Sequence, residues 1–214
     1  MAAIVKQSLV DQIYEHLREK IINLEIEWGE RVNVNELQEK LGISCTPIRE
    51  AINRLQKEGL IEYKNNIGAR VINFTEKDIL EVQEVAFTLD CAAITYAMKS
   101  ANGEDIAKKL LEQINLYKAA KNEVERSRCV EKFIYVFYEY ANNSRLISVS
   151  QLIKVQQSML RSAYRKQKKD SSNMEEHIRI YNAVLSGDIE GAIKALRENY
   201  DKGTEILMSI INNK

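Results

Sequence analysis

Gly42 to Tyr63 reads GISCTPIREAINRLQKEGLIEY. Ile48, Ala51, Ile52 and Leu55 fall at i, i+3, i+4 and i+7, which lines up one apolar stripe on a short helix. The opposite face carries Thr46, Arg49, Glu50 and Asn53, all able to hydrogen-bond. Ser44 is placed to cap this helix, its hydroxyl accepting an orphan backbone N–H. Pro47, the chain's only proline, sits in the first turn, where a missing N–H is tolerated. Gly59 stops the helix, and Leu60 onward turns strand-like. A short helix with a donor-rich front edge is what a DNA major groove accepts, so the stretch reads as a recognition helix.

Upstream, Val10, Ile13, Leu17, Ile21 and Leu24 repeat with helical period, and Ser8 with Asp11 forms a capping-box pattern. Leu37 and Leu41 mark a second helix that ends at Gly42. Downstream, LIEYKNNIGARVINF places β-branched and aromatic residues on either side of a Lys64–Gly68 turn, a hairpin signal. Three helices followed by a two-stranded ribbon make a winged helix-turn-helix, assigned to residues 1–74. From Thr75 no strand pattern survives. Ile79, Val82, Ala86, Leu89 and Ala93 belong to a helix ending near Ser100, and further helices fit about 104–122, 125–141, 144–169, 173–186 and 189–211. Loops this short favour antiparallel packing, so residues 75–214 read as an all-helical bundle and the fold class as mainly α.

Charge lends no general support to nucleic-acid binding, since 31 basic residues face 31 acidic ones. Up to Phe74 there are ten basic and eleven acidic side chains, a net of −1, so a DNA footprint must come from local distribution. Arg49, Lys64 and Arg70 fall in the recognition helix and the segment after it. No run approaches the roughly 18 apolar residues that span a bilayer. The N-terminus meets charge too early for a signal-peptide core. Cys45, Cys91 and Cys129 are odd in number and lack CxxC spacing, which suits a reducing cytoplasm rather than a disulfide framework. No nucleophile elbow, phosphate loop or paired His–carboxylate arrangement points to catalysis, and His16 and His177 belong to different domains.

Ser44, Thr46, Pro47, Ile48, Arg49, Glu50, Ala51 and Ile52, then Arg54, Leu55, Glu58, Gly59 and Leu60, keep a fixed spacing. That spacing resembles the S-R-T-P-V-R-E-A-L and R-L-x-x-E-G-L pattern of the GntR family of bacterial transcription regulators. Gly29, Glu30 and Arg31 are similar to its turn before the second helix, with Trp28 in place of the usual proline, and Gly68, Ala69 and Val71 are similar to its wing. Phe133, Asn143, Glu176–His177 and Gly187–Asp188 extend the likeness to the FadR subfamily with its helical FCD effector domain. The resemblance implies a cytoplasmic homodimer, an effector domain that also dimerises, a palindromic double-stranded DNA operator and a small-metabolite effector such as a carboxylate. It puts Asn35, Ser44, Thr46, Arg49, Asn65, Asn66 and Gly68 at DNA-contacting places. Cys45, Asn53 and Arg70 complete that surface from the residues themselves.

Cys45 stands where the family usually has arginine. A cysteine at a helix N-terminus can have a lowered pKa, so a redox-responsive regulator is one alternative. Many FCD proteins hold a divalent metal through one Asp and three His, and the resemblance puts those places at Val130, Ile134, His177 and Asn199. One imidazole and one amide are a poor donor set, and Glu131, beside the first place, points about 100° away on a helix. A pocket without metal or other cofactor is therefore expected, a metal-binding module or enzyme being the other alternative. A family arginine also corresponds to Ala86. His177, Tyr181 and Asn199 can face the interior with Ile134, and Arg161, Tyr164 and Arg165 can reach an acidic ligand from the long helix. Arg165 to Lys169 reads instead as a solvated helix end that complements the macrodipole. A third alternative is constitutive DNA binding with a filled core. The expected function is a transcription regulator, a repressor rather than an enzyme.

Overall fold

The computed structural model describes residues 7–64, 68–167 and 174–212. Two compact units divide the chain, Met1–Thr75 and Glu76–Lys214.

In the first unit, α1 (Leu9–Ile22) opens on a capping box. Asp11 N–H donates to the Ser8 hydroxyl at 3.1 Å, and Ser8 N–H donates to the Asp11 carboxylate at 3.2 Å. The helix stops earlier than its apolar repeat suggests. Leu24 lies beyond it at φ 58°, because Leu24 and Glu25 N–H groups turn back onto the Ile21 and Lys20 carbonyls. Asn33 caps α2 (Val34–Leu41), and Gly42 ends it in left-handed backbone at φ 65°.

Helix α3 (Cys45–Lys57) buries the expected stripe of Ile48, Ala51, Ile52 and Leu55. It packs against α1, which buries Ile13, Leu17 and Ile21. Ser44 is the N-cap residue of α3, yet its hydroxyl accepts no cap hydrogen bond. The reason is local. An N-cap oxygen takes the N2 or N3 N–H, and N3 here is Pro47, which has none.

The wing pairs β1 (Ile61–Lys64) antiparallel to β2 (Gly68–Val71), with Ile61 opposite Val71 and Lys64 opposite Gly68. Its tip, with Asn65 and Asn66, lies outside the described residues. A third edge was not evident from the sequence. Gly29 N–H donates to Val71 O, Val71 N–H to Glu30 O and Val32 N–H to Ala69 O, so the stretch before α2 lies along β2. Trp28 packs edge-on against Phe74, ring centroids 4.9 Å apart.

The second unit is helical throughout its described residues: α4 (Glu76–Ser100), α5 (Gly103–Ala119), α6 (Glu123–Tyr140), α7 (Ser144–Gln167), α8 (Glu175–Leu185) and α9 (Ile189–Asn212). Asn102 and Asn122 cap α5 and α6 with their side chains. Helix α4 packs against α6, α7 and α9. Phe133 and Phe137 on α6 are fully buried among Ile94, Leu110, Val184 and Leu196. Burial of this kind contributes roughly 1.5–3 kcal/mol per large apolar side chain.

Trp28 is the chain's only tryptophan, so its fluorescence reports on the first unit alone. Ile52→Ala removes a fully buried side chain from the contact between α1 and α3. It should lower the stability seen by that fluorescence in urea by about 2–5 kcal/mol, with the helical unit's transition unmoved.

Candidate DNA-contacting surface and effector cavity

Along the outer edge of α3, Ser44, Thr46, Arg49 and Asn53 are all exposed. Arg49 makes no hydrogen bond or ion pair among the described residues. Its neighbour Arg54 is occupied, pairing with Asp11 on α1. The Ser8 hydroxyl, and then Arg54, hold the Asp11 carboxyl below its usual range. Glu58 at the end of α3 accepts from Tyr14 Oη at 2.8 Å and from Arg18 Nε at 2.9 Å. Asp11 and Glu58 are thereby tied up, while Arg49 keeps its five donors free.

Asn35 is exposed at the start of α2. Cys45 is half-buried, and its thiol donates to the Gln38 side-chain oxygen of α2. Gly68 and Arg70 are half-buried on β2, with Arg70 between Glu62 and Arg31 and its Nε buried without a partner.

The helical unit encloses a cavity of about 180 Å³ reached by residues of α4 to α9. Ile134, Arg161, Tyr164, His177 and Asn199 line it, having been expected there. Tyr181 does not. One helical turn beyond His177, it is carried past the cavity onto the apolar core. Arg165 lines the cavity as well, half-buried and donating to Ser162 Oγ at 2.6 Å, so the run expected as a solvated helix end begins inside the pocket. Burial holds the Arg165 guanidinium below its ordinary range.

Asp90 and Tyr200 complete the wall. Asp90 is buried on α4 and accepts from Tyr138 Oη and Tyr200 Oη, each at 2.7 Å. Gln157 Nε2 donates in turn to Tyr200 Oη at 3.1 Å. Desolvation raises the Asp90 pKa against the pull of those two hydroxyls. A signal for Asp90 was present in the sequence: it continues the stripe of Ile79, Val82 and Ala86 toward Ala93, a lone carboxylate among buried apolar positions.

Of the polar atoms buried in this unit without a hydrogen-bond partner, Arg161 Nη1 and His177 Nδ1 belong to residues of the cavity wall. Arg161 Nη1 lies 3.6 Å from Glu131, which is an ion pair but not a hydrogen bond. His177 packs edge-on against Phe133 at 5.1 Å. Burial, aided by the Arg161 charge and opposed by Glu176, pushes its imidazole down to about 4, so it is neutral at pH 7.

Residues 9–71 match the model of bacterial regulatory proteins of the gntR family, and residues 81–202, more than half of the chain, match that of the FCD domain. The chain belongs to the GntR family. It is a DNA-binding transcription regulator with a winged helix-turn-helix and an FCD domain. It is 26% identical over 206 residues to the HTH-type transcriptional regulator YdhC of Bacillus subtilis (strain 168), covering 94% of this chain and 91% of that one. It is 26% identical to the gluconate operon transcriptional repressor of Bacillus licheniformis, over 86% of this chain and 79% of the relative. In fold it is similar to Escherichia coli McbR/YncC, with a TM-score of 0.73 at 21% identity over 95% and 99% of the two chains.

Val130, Ile134, His177 and Asn199, which the resemblance sets at the metal places of many FCD proteins, all line the cavity of this GntR-family regulator. Two are aliphatic, so the set does not fit a divalent cation. Among the described residues no three His, Cys, Asp or Glu side chains gather to hold one.

The unfolded His177 imidazole takes up its proton near pH 6.5, the folded one only near 4. Between those values the unfolded chain binds more protons, so stability falls as the pH drops through the window. From pH 7 to pH 5 the helical unit should lose about 2 kcal/mol from this group. His177→Gln should remove that part of the slope in urea titrations followed by circular dichroism.

Proposed function

We propose that this regulator is a cytoplasmic homodimeric repressor that holds a palindromic operator and releases it when a small acidic metabolite enters the helical unit. The exposed, unpartnered Arg49 carries the DNA half of this reading. A guanidinium free on the front of a recognition helix can bridge guanine O6 and N7 in the major groove. Ser44 and Thr46 hydroxyls hold phosphates and so set the register without reading sequence. The Pro47 position supports this, because the Ser44 hydroxyl is not consumed by its own helix. Asn35, Cys45, Asn53 and the wing residues Asn65, Asn66, Gly68 and Arg70 make up the rest of the contact surface.

Support for effector binding comes from the cavity, whose wall gathers Arg161 and Arg165 around a neutral imidazole. A ligand that prefers one arrangement of the helices shifts the population toward it, and the two recognition helices then no longer match successive major grooves. The printed name of the Bacillus licheniformis relative, a repressor of a gluconate operon, is in keeping with both the sign and an acidic effector. For the dimer, Leu152 on α7 is 79% exposed, with Val149 one turn away on the same face. Exposed apolar stripes of this kind mark association surfaces. The three free cysteines suit a reducing compartment, and no helix among the described residues is long and apolar enough to cross a membrane.

Arg49→Ala should weaken binding to DNA selected from a random pool by roughly 5- to 150-fold, the equivalent of about 1–3 kcal/mol, in a mobility-shift titration at fixed salt. Affinity equal to the parent protein's would overturn the recognition-helix assignment. Leu152→Asp should convert the dimer to monomer in sedimentation experiments while leaving the helical content unchanged. A dimer of unaltered strength would place the interface elsewhere.

A further inference from the structure

Buried charges are ordinarily paired, since an isolated ion out of water costs several kcal/mol. Asp90 departs from that rule. The residue is 6% exposed, and its carboxyl lines the cavity and accepts from two tyrosine hydroxyls, yet no cation lies within 4.0 Å of it among the described residues. Two hydroxyls use two of the roughly four lone-pair directions a carboxylate offers. The remaining capacity points to a donor that the chain itself does not supply.

Arg161 presents the complementary vacancy on the same wall. Nη1 is buried and makes no hydrogen bond, with its nearest carboxylate, Glu131, at 3.6 Å. Arg161 and Asp90 form no ion pair with one another, although both line the one cavity. They therefore face the same enclosed space without meeting across it. His177, also lacking a partner at Nδ1, lines the cavity with them. Val130, Ile134 and Leu160 supply an apolar surface between.

We infer that the cavity is built for a small zwitterion, an α-amino acid in chemical class, with its carboxylate on Arg161 and its ammonium on Asp90. An α-amino acid carries both charged groups on one carbon, which is what an unjoined Asp and Arg lining one small cavity accommodate. Val130 and Ile134, aliphatic where a metal would need donors, then receive the ligand's side chain. The size agrees. A cavity of about 150 Å³ lined by apolar groups holds benzene, and this one, at about 180 Å³, admits a compact side chain beside the two charged groups. The inference rests on the reading of the helical unit as an effector-binding domain, and it narrows that reading from any acidic metabolite to one carrying both charges.

The test uses the full-length protein in thermal-shift and calorimetric titrations with the standard α-amino acids at millimolar concentration. For each hit, the matched 2-hydroxy acid lacks the ammonium and the matched amine lacks the carboxylate. At least one amino acid should raise the melting temperature by several degrees, and neither partner compound should do so. Asp90→Asn should weaken that amino acid about tenfold or more, the loss expected of a charge-assisted hydrogen bond. Arg161→Gln should act likewise. The comparison on the parent protein stands alone if a variant does not fold. A 2-hydroxy acid binding as tightly as its amino acid would overturn the zwitterion and leave an acidic-effector regulator intact. Silence from every amino acid would overturn it too. Failure of the regulator reading is separately visible, because it appears as lost DNA binding and not as a changed ligand ranking.

Discussion

The Glu58 carboxylate accepts from Tyr14 and Arg18 at once, at 2.8 and 2.9 Å, and so fastens the end of α3 to the middle of α1. That clamp sits at one end of an apolar contact in which Leu17, Ile21, Ile48, Ile52 and Leu55 are fully buried. A helix held along one stripe and pinned at its last turn cannot roll, so the opposite edge is fixed as a solvent-facing surface. The polar side chains needed for DNA therefore follow from what α3 buries. The same arrangement decides which arginines are free. Arg18 and Arg54 are spent holding α1 and α3 together, and Arg49 is left over.

Pro47 illustrates how a single residue acts on both structure and function. It sits in the first turn of α3 at little cost in backbone strain, but it removes one of the two N–H groups that a serine cap can use. The Ser44 hydroxyl is thus left at a helix N-terminus, where the backbone dipole already favours an anion. The ingredients of a phosphate contact arise from a local defect in capping, with no need for a net positive charge on the unit.

Much of this was legible along the chain because both signals are periodic or punctuated. The α3 stripe, the Gly42 and Gly59 stops and the helix ends near Ser100 and Asn212 follow from spacing and turn residues alone. Ile134, Arg161, His177 and Asn199 came together on one wall because each lies on the inward face of its own helix. What spacing cannot give is which inward face meets which. The Asp90–Tyr138 and Asp90–Tyr200 bonds join residues 48 and 110 positions apart, and no local pattern encodes such a pairing. Leu89 was read as a face-forming residue where Asp90 holds the buried position, because a carboxylate does not count toward an apolar repeat. Arg165, able to reach an acidic ligand, reads more naturally as solvated for the converse reason. A basic run at a helix end suits the macrodipole wherever it points, so its first member's burial is invisible until α7 is packed.

On the proposed effector reading, the cavity's chemistry also sets what kind of signal it can transmit. A divalent cation would attract any carboxylate strongly, whatever the rest of the ligand. With Val130 and Ile134 in those places, attraction must come from guanidinium groups, of which Arg161 is already partly satisfied by Glu131. To move a regulator from almost wholly one state to almost wholly the other, a ligand must favour the second by about 5.5 kcal/mol. A molecule that fits about 180 Å³ has few atoms with which to supply this, so each buried polar vacancy matters. Asp90 on α4, Arg161 on α7 and His177 on α8 are groups of the cavity wall with hydrogen-bonding capacity to spare. A ligand that satisfies all three binds only when those three helices stand at one mutual spacing. That requirement for a single spacing is how so small a molecule can select one arrangement of the bundle.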